Sequence, residues 1–138
     1  MASLDEFREA QDGVWPQVRE ELRAGRKTSH WIWFVFPQLR GLGQSFMAHN
    51  FGLSGVDEAS LYLGDPVLGP RLEEAASLVL SSGRGAVDIL GETDALKLRS
   101  SMTLFEAVEG APPIFTRVLT RLYDGNRCPF TRERVDAA

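Results

Sequence analysis

Glycine and proline punctuate this chain so often that it reads as a succession of short helices. There are thirteen glycines and seven prolines in 138 residues. A glycine behind an apolar-periodic segment supplies a left-handed stop, and a proline fits the first helical turn, where its missing N–H costs nothing. Ser3 with Glu6 is a capping-box pattern, followed by Leu4, Phe7, Ala10 and Gln11 and a stop near Asp12-Gly13. Trp15 anchors the next turn, and Pro16 opens a helix with Val18 and Leu22 inside and Gly25 at its end. Further segments are Ser45 to Phe51, Val56 to Leu63 closed by Gly64, and Ala86 to Leu90. Pro70 opens a longer helix with the apolar stripe Leu72, Ala75, Ala76, Val79 and Leu80. Thr93 is expected to cap another, carrying Leu98, Met102 and Phe105, and Pro113 to Tyr123 is the last well-formed one. The tail from Asn126 is weakly specified. About eight short helices predict an all-α fold, a compact irregular bundle forming one domain over residues 1–138.

His30 to Phe36 (HWIWFVF) is the ambiguous segment, since a short and almost wholly apolar run suits a buried strand or a buried helix equally. No other segment offers a convincing strand partner. A short buried helix is therefore predicted, with Thr28-Ser29 as its cap and Pro37 as its stop, and Gln38 to Gly43 as a glycine-containing loop.

Length and composition set outer limits. A chain of this size can bury ~68% of its unfolded surface around one core, and 43% hydrophobic with 25% charged residues is ordinary for a globular domain. The longest apolar run, Trp31 to Phe36, is far short of a membrane span, and the first ten residues lack a signal-peptide pattern, so a cytoplasmic protein is expected. Cys128 is the one cysteine, and His30 and His49 are the two histidines, so neither an internal disulfide nor a metal site is predicted.

A net charge of −4 argues against a general nucleic-acid binder. The distribution says more. Leu22 to Gln44 contains Arg23, Arg26, Lys27 and Arg40 without an acid, and Ala95 to Phe105 contains Lys97 and Arg99 without one. Two acid-free stretches on an acidic protein suit a small anionic ligand if they converge. The competing account is that Arg23, Arg26 and Lys27 simply complement a helix C-terminus.

Two constellations could carry chemistry. In the first, Lys27, Ser29 and His30 run into Trp31, Trp33 and Phe34, then Gln38, Gly41 and Gly43. His30 has the right ordinary pKa for a general base, and the Gln38 amide could bind a ligand or its own loop. A capped core histidine and aromatic packing explain the same residues structurally. Gly41-x-Gly43 lacks the third glycine and flanking elements of a dinucleotide or phosphate loop. In the second, Lys97 and Ser101, like Arg99 and Thr103, are four apart and share a helix face, and a desolvated lysine can activate a hydroxyl. Small hydroxyls that bond back to the preceding turn and let helices approach are the alternative.

Three ordered motifs, GRKTSHWIWFVFPQLRGLG (Gly25 to Gly43), DPVLGPRL (Asp65 to Leu72) and DALKLRSSMTLF (Asp94 to Phe105), resemble the bacterial family called domain of unknown function 1810, sometimes labelled calpastatin, a label with no visible basis in these residues. The resemblance runs from about Leu4 to Thr131. It implies an all-α, roughly globular fold with a likeness to armadillo-type superhelical stacking. It supplies no reaction, cofactor or catalytic residue. The chain departs from the family pattern at Asp65, where a histidine is common, and at Cys128, where an aspartate is expected, which argues against either position being essential.

The expectation that follows is a pocket formed by the first and third motifs. Lys27, Ser29, His30, Trp33, Gln38, Gly41, Gly43, Lys97, Ser100 and Ser101 would hold a small anionic metabolite or nucleotide. The alternative is a helical interaction module without catalysis, presenting Trp and Arg side chains to a protein partner.

Overall fold

The computed structural model describes residues 1–137, and they form ten α-helices. These are α1 (Leu4–Asp12), α2 (Trp15–Ala24), α3 (Ile32–Val35), α4 (Phe46–Asn50), α5 (Val56–Gly64), α6 (Leu68–Ser81), α7 (Ala86–Leu90), α8 (Glu92–Glu106), α9 (Ile114–Tyr123) and α10 (Pro129–Ala137). The capping box forms as its pattern predicts, with the Ser3 hydroxyl accepting from the Glu6 amide and Glu6 reaching back to the Ser3 amide. Gly25 closes α2 at φ 72°, a conformation that a side chain would oppose. Among the described residues the only extended pairing is an isolated parallel bridge between Leu39 and Leu53.

Four expectations need correction. There are ten helices where about eight were expected, because the tail folds: Cys128 O accepts from the Arg132 amide and starts α10, which packs on α8. Pro70 is the third residue of α6, and the helix begins two residues earlier at Leu68, since the whole first turn tolerates a missing N–H. Thr93 caps nothing; α8 starts at Glu92 behind Gly91, whose φ of 85° makes the entry turn. Thr28-Ser29 does not cap the His30 segment, of which only Ile32–Val35 is helical, without any side-chain cap.

The core is a continuous cluster running from Phe7 and Trp15 to Val118 and Leu119. Its centre is α8, which packs against α5, α7, α9 and α10. From Leu98 to Phe105 every residue of α8 except Arg99 is buried, so this stretch is enclosed on nearly every side and carries no strong apolar stripe. Phe105 sits between Tyr62 and Phe115, at ring-centroid distances of 5.4 and 5.8 Å. The aromatic run resolves the same way: Trp31, Phe34 and Phe36 are core, and Trp33 is half-buried. No helix is long and apolar enough to cross a membrane, among the described residues.

Candidate functional site

The Lys-Thr-Ser-His-Trp segment owes its polar residues first to Glu21. This carboxylate, buried on α2, accepts from the Thr28 and Ser29 amides at 2.7 and 3.0 Å, the Ser29 hydroxyl at 2.6 Å and the Trp31 indole at 3.0 Å. Gln17 adds a fifth donor. Burial alone would raise the pKa of Glu21. The donors outweigh it and hold the group at about 2, so it is ionised throughout the neutral range. Ser29 is thus a structural ligand of Glu21, and the segment is pinned before α3 begins.

Lys27 follows the same logic. Its Nζ lies 2.8 Å from Asp94 Oδ2 and over the Trp31 ring, and its side chain is only 7% exposed. Lys97 reaches the other oxygen of the same carboxylate at 3.3 Å and lies over Trp33. The two acid-free stretches do meet, and they meet on Asp94, the residue immediately before the second stretch.

Beyond Lys97 a cavity of about 270 Å³ opens between the Gln38 loop, α8 and the start of α10. Its polar lining is Gln38, Thr93, Lys97, Arg99, Ser100 and Cys128. Thr93, Leu96, Lys97 and Ser100 are spaced i, i+3, i+4, i+7, one face of α8. The loop is fixed by its backbone: Leu53 N–H donates to Gln38 O and Arg40 N–H to Leu53 O, both at 2.9 Å. That leaves the Gln38 side chain unused. It is 9% exposed, makes no hydrogen bond among the described residues, and faces this cavity and a water-sized one of about 10 Å³ behind Trp33. Arg99 is equally uncommitted: its Nε is buried without a partner, and it enters no ion pair among the described residues. Among the described residues no carboxylate lines the cavity.

The structure groups Gln38, Lys97 and Ser100 on this cavity, and the other predicted residues do not line it. His30 is exposed and lines neither this cavity nor the small one behind Trp33. Ser101 is fully buried with its hydroxyl unpartnered, and Lys97 turns to Asp94 instead of towards it. Trp33 lines the small cavity beneath Lys97. Gly41 is needed for its φ of 106°, and Gly43 for packing, since a Cβ there would stand 2.6 Å from that of Ala48. Thr103 bonds back to the Arg99 carbonyl at 2.8 Å. No group of three or more His, Cys, Asp or Glu side chains that could hold a metal ion occurs among the described residues.

Sequence reasoning missed Thr93, Arg99 as a lining residue, and Cys128. The i, i+3, i+4, i+7 spacing on α8 carried the signal for Thr93. Nothing in the tail's sequence indicated Cys128, whose thiol is buried against Thr131 and Ser100 with the Arg99 charge nearby. Burial pushes this thiol up, and those donors and that charge bring it below the ordinary thiol value.

A family model described as "Protein of unknown function (DUF1810)" matches residues 1–135, nearly the whole chain. The chain belongs to this family. A solved structure described as the conserved hypothetical protein Rv1873 from Mycobacterium tuberculosis is 46% identical, with a TM-score of 0.95, over 98% of this chain and 97% of that one. No curated protein matches. Membership in DUF1810 thus gives the fold, and the lining of the cavity is left to argue for a function.

Proposed function

We propose that the cavity between the Gln38 loop, α8 and α10 binds a small anionic metabolite. The observation that carries this reading is that Gln38 and Arg99, from two different motifs, bring an unpartnered amide and an unpaired guanidinium to one cavity without an acid in its lining. The Gln38 amide has no protein partner and opens on the cavity, so it can donate to a ligand without giving up a bond within the fold. An arginine offers a planar, permanently charged fork for carboxylate or phosphate. Lys97 adds a second cation, partly offset by Asp94.

At about 270 Å³ the cavity is at the small end of ligand pockets, which run from ~300 to 1,000 Å³. A di- or tricarboxylic acid or the phosphate end of a mononucleotide suits it better than a dinucleotide. A cavity of about 310 Å³ lined by Arg40 and Arg134 is a weaker candidate, because Arg40 already donates to Gly52 O and Arg134 lies on the Phe130 ring.

The test is thermal unfolding with citrate, pyrophosphate and AMP, at constant ionic strength. A ligand present at a hundred times its Kd adds about 2.7 kcal/mol. Arg99→Ala and Gln38→Ala should each lose most of that stabilisation, while His30→Ala keeps it. Absence of any anion-specific shift would sink the reading and favour the interaction module. That alternative has less support here, because Trp15 and Trp31 are buried and Trp33 is half-buried beneath Lys97, leaving no exposed Trp patch.

A further inference from the structure

Among the cavity groups that anion binding leaves unused is the thiol of Cys128. Cys128 directly precedes α10, and its carbonyl accepts the first bond of that helix, from the Arg132 amide. The amides of the helix's first turn therefore point towards the sulfur's side of the chain, where they favour negative charge. The cysteine backbone is held from behind, its N–H donating to Thr103 Oγ1 at 3.1 Å. Ser100 and Thr131 bond to one another at 3.1 Å beside the sulfur. A thiol beside hydroxyl donors, a helix start and an arginine is biased towards thiolate, the nucleophilic form.

Its placement matters as much as its ionisation. Cys128 is buried from bulk solvent and lines the same cavity as Lys97, Arg99 and the unpartnered Gln38 amide, so a reagent approaches it through that cavity. Cations there attract acidic reagents and repel cationic ones.

We infer that Cys128 is a covalent attachment site for a small carboxylate-bearing disulfide whose acidic groups are held by Lys97 and Arg99. The inference rests on the anion-binding reading of the same cavity and adds a reaction to it. The Cys128 thiolate attacks one sulfur of the bound disulfide. A new sulfur–sulfur bond forms, the original one breaks, and its electron pair leaves with the other half as a thiolate that takes a proton from water. The disulfide is the oxidant, and a small thiol reverses the step.

Because Cys128 is the chain's one cysteine, intact-mass spectrometry of the full chain reports on it without ambiguity. Three disulfide probes of similar size are compared: dithiodiglycolate (acidic), hydroxyethyl disulfide (neutral) and cystamine (cationic). The expected result for the native protein is an adduct formed roughly tenfold faster with the acidic than with the cationic probe. That order should collapse in urea, and pyrophosphate should slow the acidic probe selectively. Arg99→Gln should lower the acidic-to-cationic ratio in protein whose cooperative thermal melt shows it to be folded, while His30→Ala keeps the native ratio. Equal rates with all three probes, or a native thiol slower than the urea-unfolded one towards the acidic probe, would overturn the inference. If pyrophosphate stabilises the fold while the probes react alike, the covalent inference fails and the anion reading stands. If the acidic preference appears without any anion-dependent stabilisation, the reverse holds.

Discussion

Lys27 and Asp94 form a largely buried ion pair, Nζ to Oδ2 at 2.8 Å, that ties the segment after α2 to the first turn of α8. Asp94 is at the same time the partner of Lys97, so one carboxylate neutralises a cation from each of the two acid-free stretches. The pair makes the first and third motifs neighbours and determines which of their charges stay free for a ligand.

Asp94→Asn leaves Lys27 buried without a counter-charge, a change that costs roughly 3–5 kcal/mol in buried pairs. Lys27→Met should cost less, because Asp94 keeps Lys97. The double substitution should be milder than the sum of the two. Urea denaturation of all four proteins measures the coupling.

Glu21 should make the fold acid-sensitive in a defined window. Its folded pKa of about 2 lies below the ordinary 4.5, so its stabilising contribution is fully present above pH 4.5 and is lost as pH falls towards 2. The difference corresponds to roughly 3 kcal/mol. Denaturation midpoints measured from pH 7 to pH 2 should fall across that window in the wild type. Glu21→Gln should start lower at pH 7 and show a flatter dependence; an unchanged slope would mean that other carboxylates carry it.

Two glycines should respond in opposite directions to alanine. A Cβ at Gly69 would stand 2.1 Å from the Leu63 carbonyl oxygen, so Gly69→Ala must push α5 and α6 apart and should cost about 2 kcal/mol or more. A Cβ at Gly64, at the end of α5, would meet nothing within 4 Å. Gly64→Ala should leave stability unchanged or raise it by about 0.5–1 kcal/mol through the unfolded chain. Thermal melts of the two variants decide it.

Phe105→Ala should be among the most damaging single changes, at about 3–5 kcal/mol. It removes the ring between Tyr62 and Phe115, which links α5 to α9 through α8. Chemical denaturation of this variant should show a lower midpoint, and loss of near-ultraviolet circular dichroism would show that aromatic packing is affected.

Local patterns made most of the helices legible. The Ser3-Glu6 box, the Gly25 stop and the Leu72 to Val79 stripe depend on residues a few positions apart, and each forms as its pattern predicts. The His30 to Phe36 run had no periodicity to read, and its entry is fixed from outside by the Glu21 carboxylate. The tail escaped because α10 lacks a clear apolar stripe and gains its order by packing on α8. For the candidate site, Gln38, Lys97 and Ser100 came from motif chemistry, and Lys27, Ser29 and His30 came with them because adjacency in sequence says nothing about which neighbour claims a side chain.

The sequence by itself determined the all-helical class, the breakpoints between most helices and the family, because these follow from short-range backbone preferences and from ordered motifs. Tertiary structure alone decided which polar residues are spent and which are free. Glu21 takes Ser29, and Asp94 takes Lys27 and shares Lys97, while Gln38 and Arg99 are left facing a cavity with Cys128. The reason is physical: a buried charge must find a partner wherever the fold puts one, and for Asp94 and Lys27 that partner is 67 residues away along the chain.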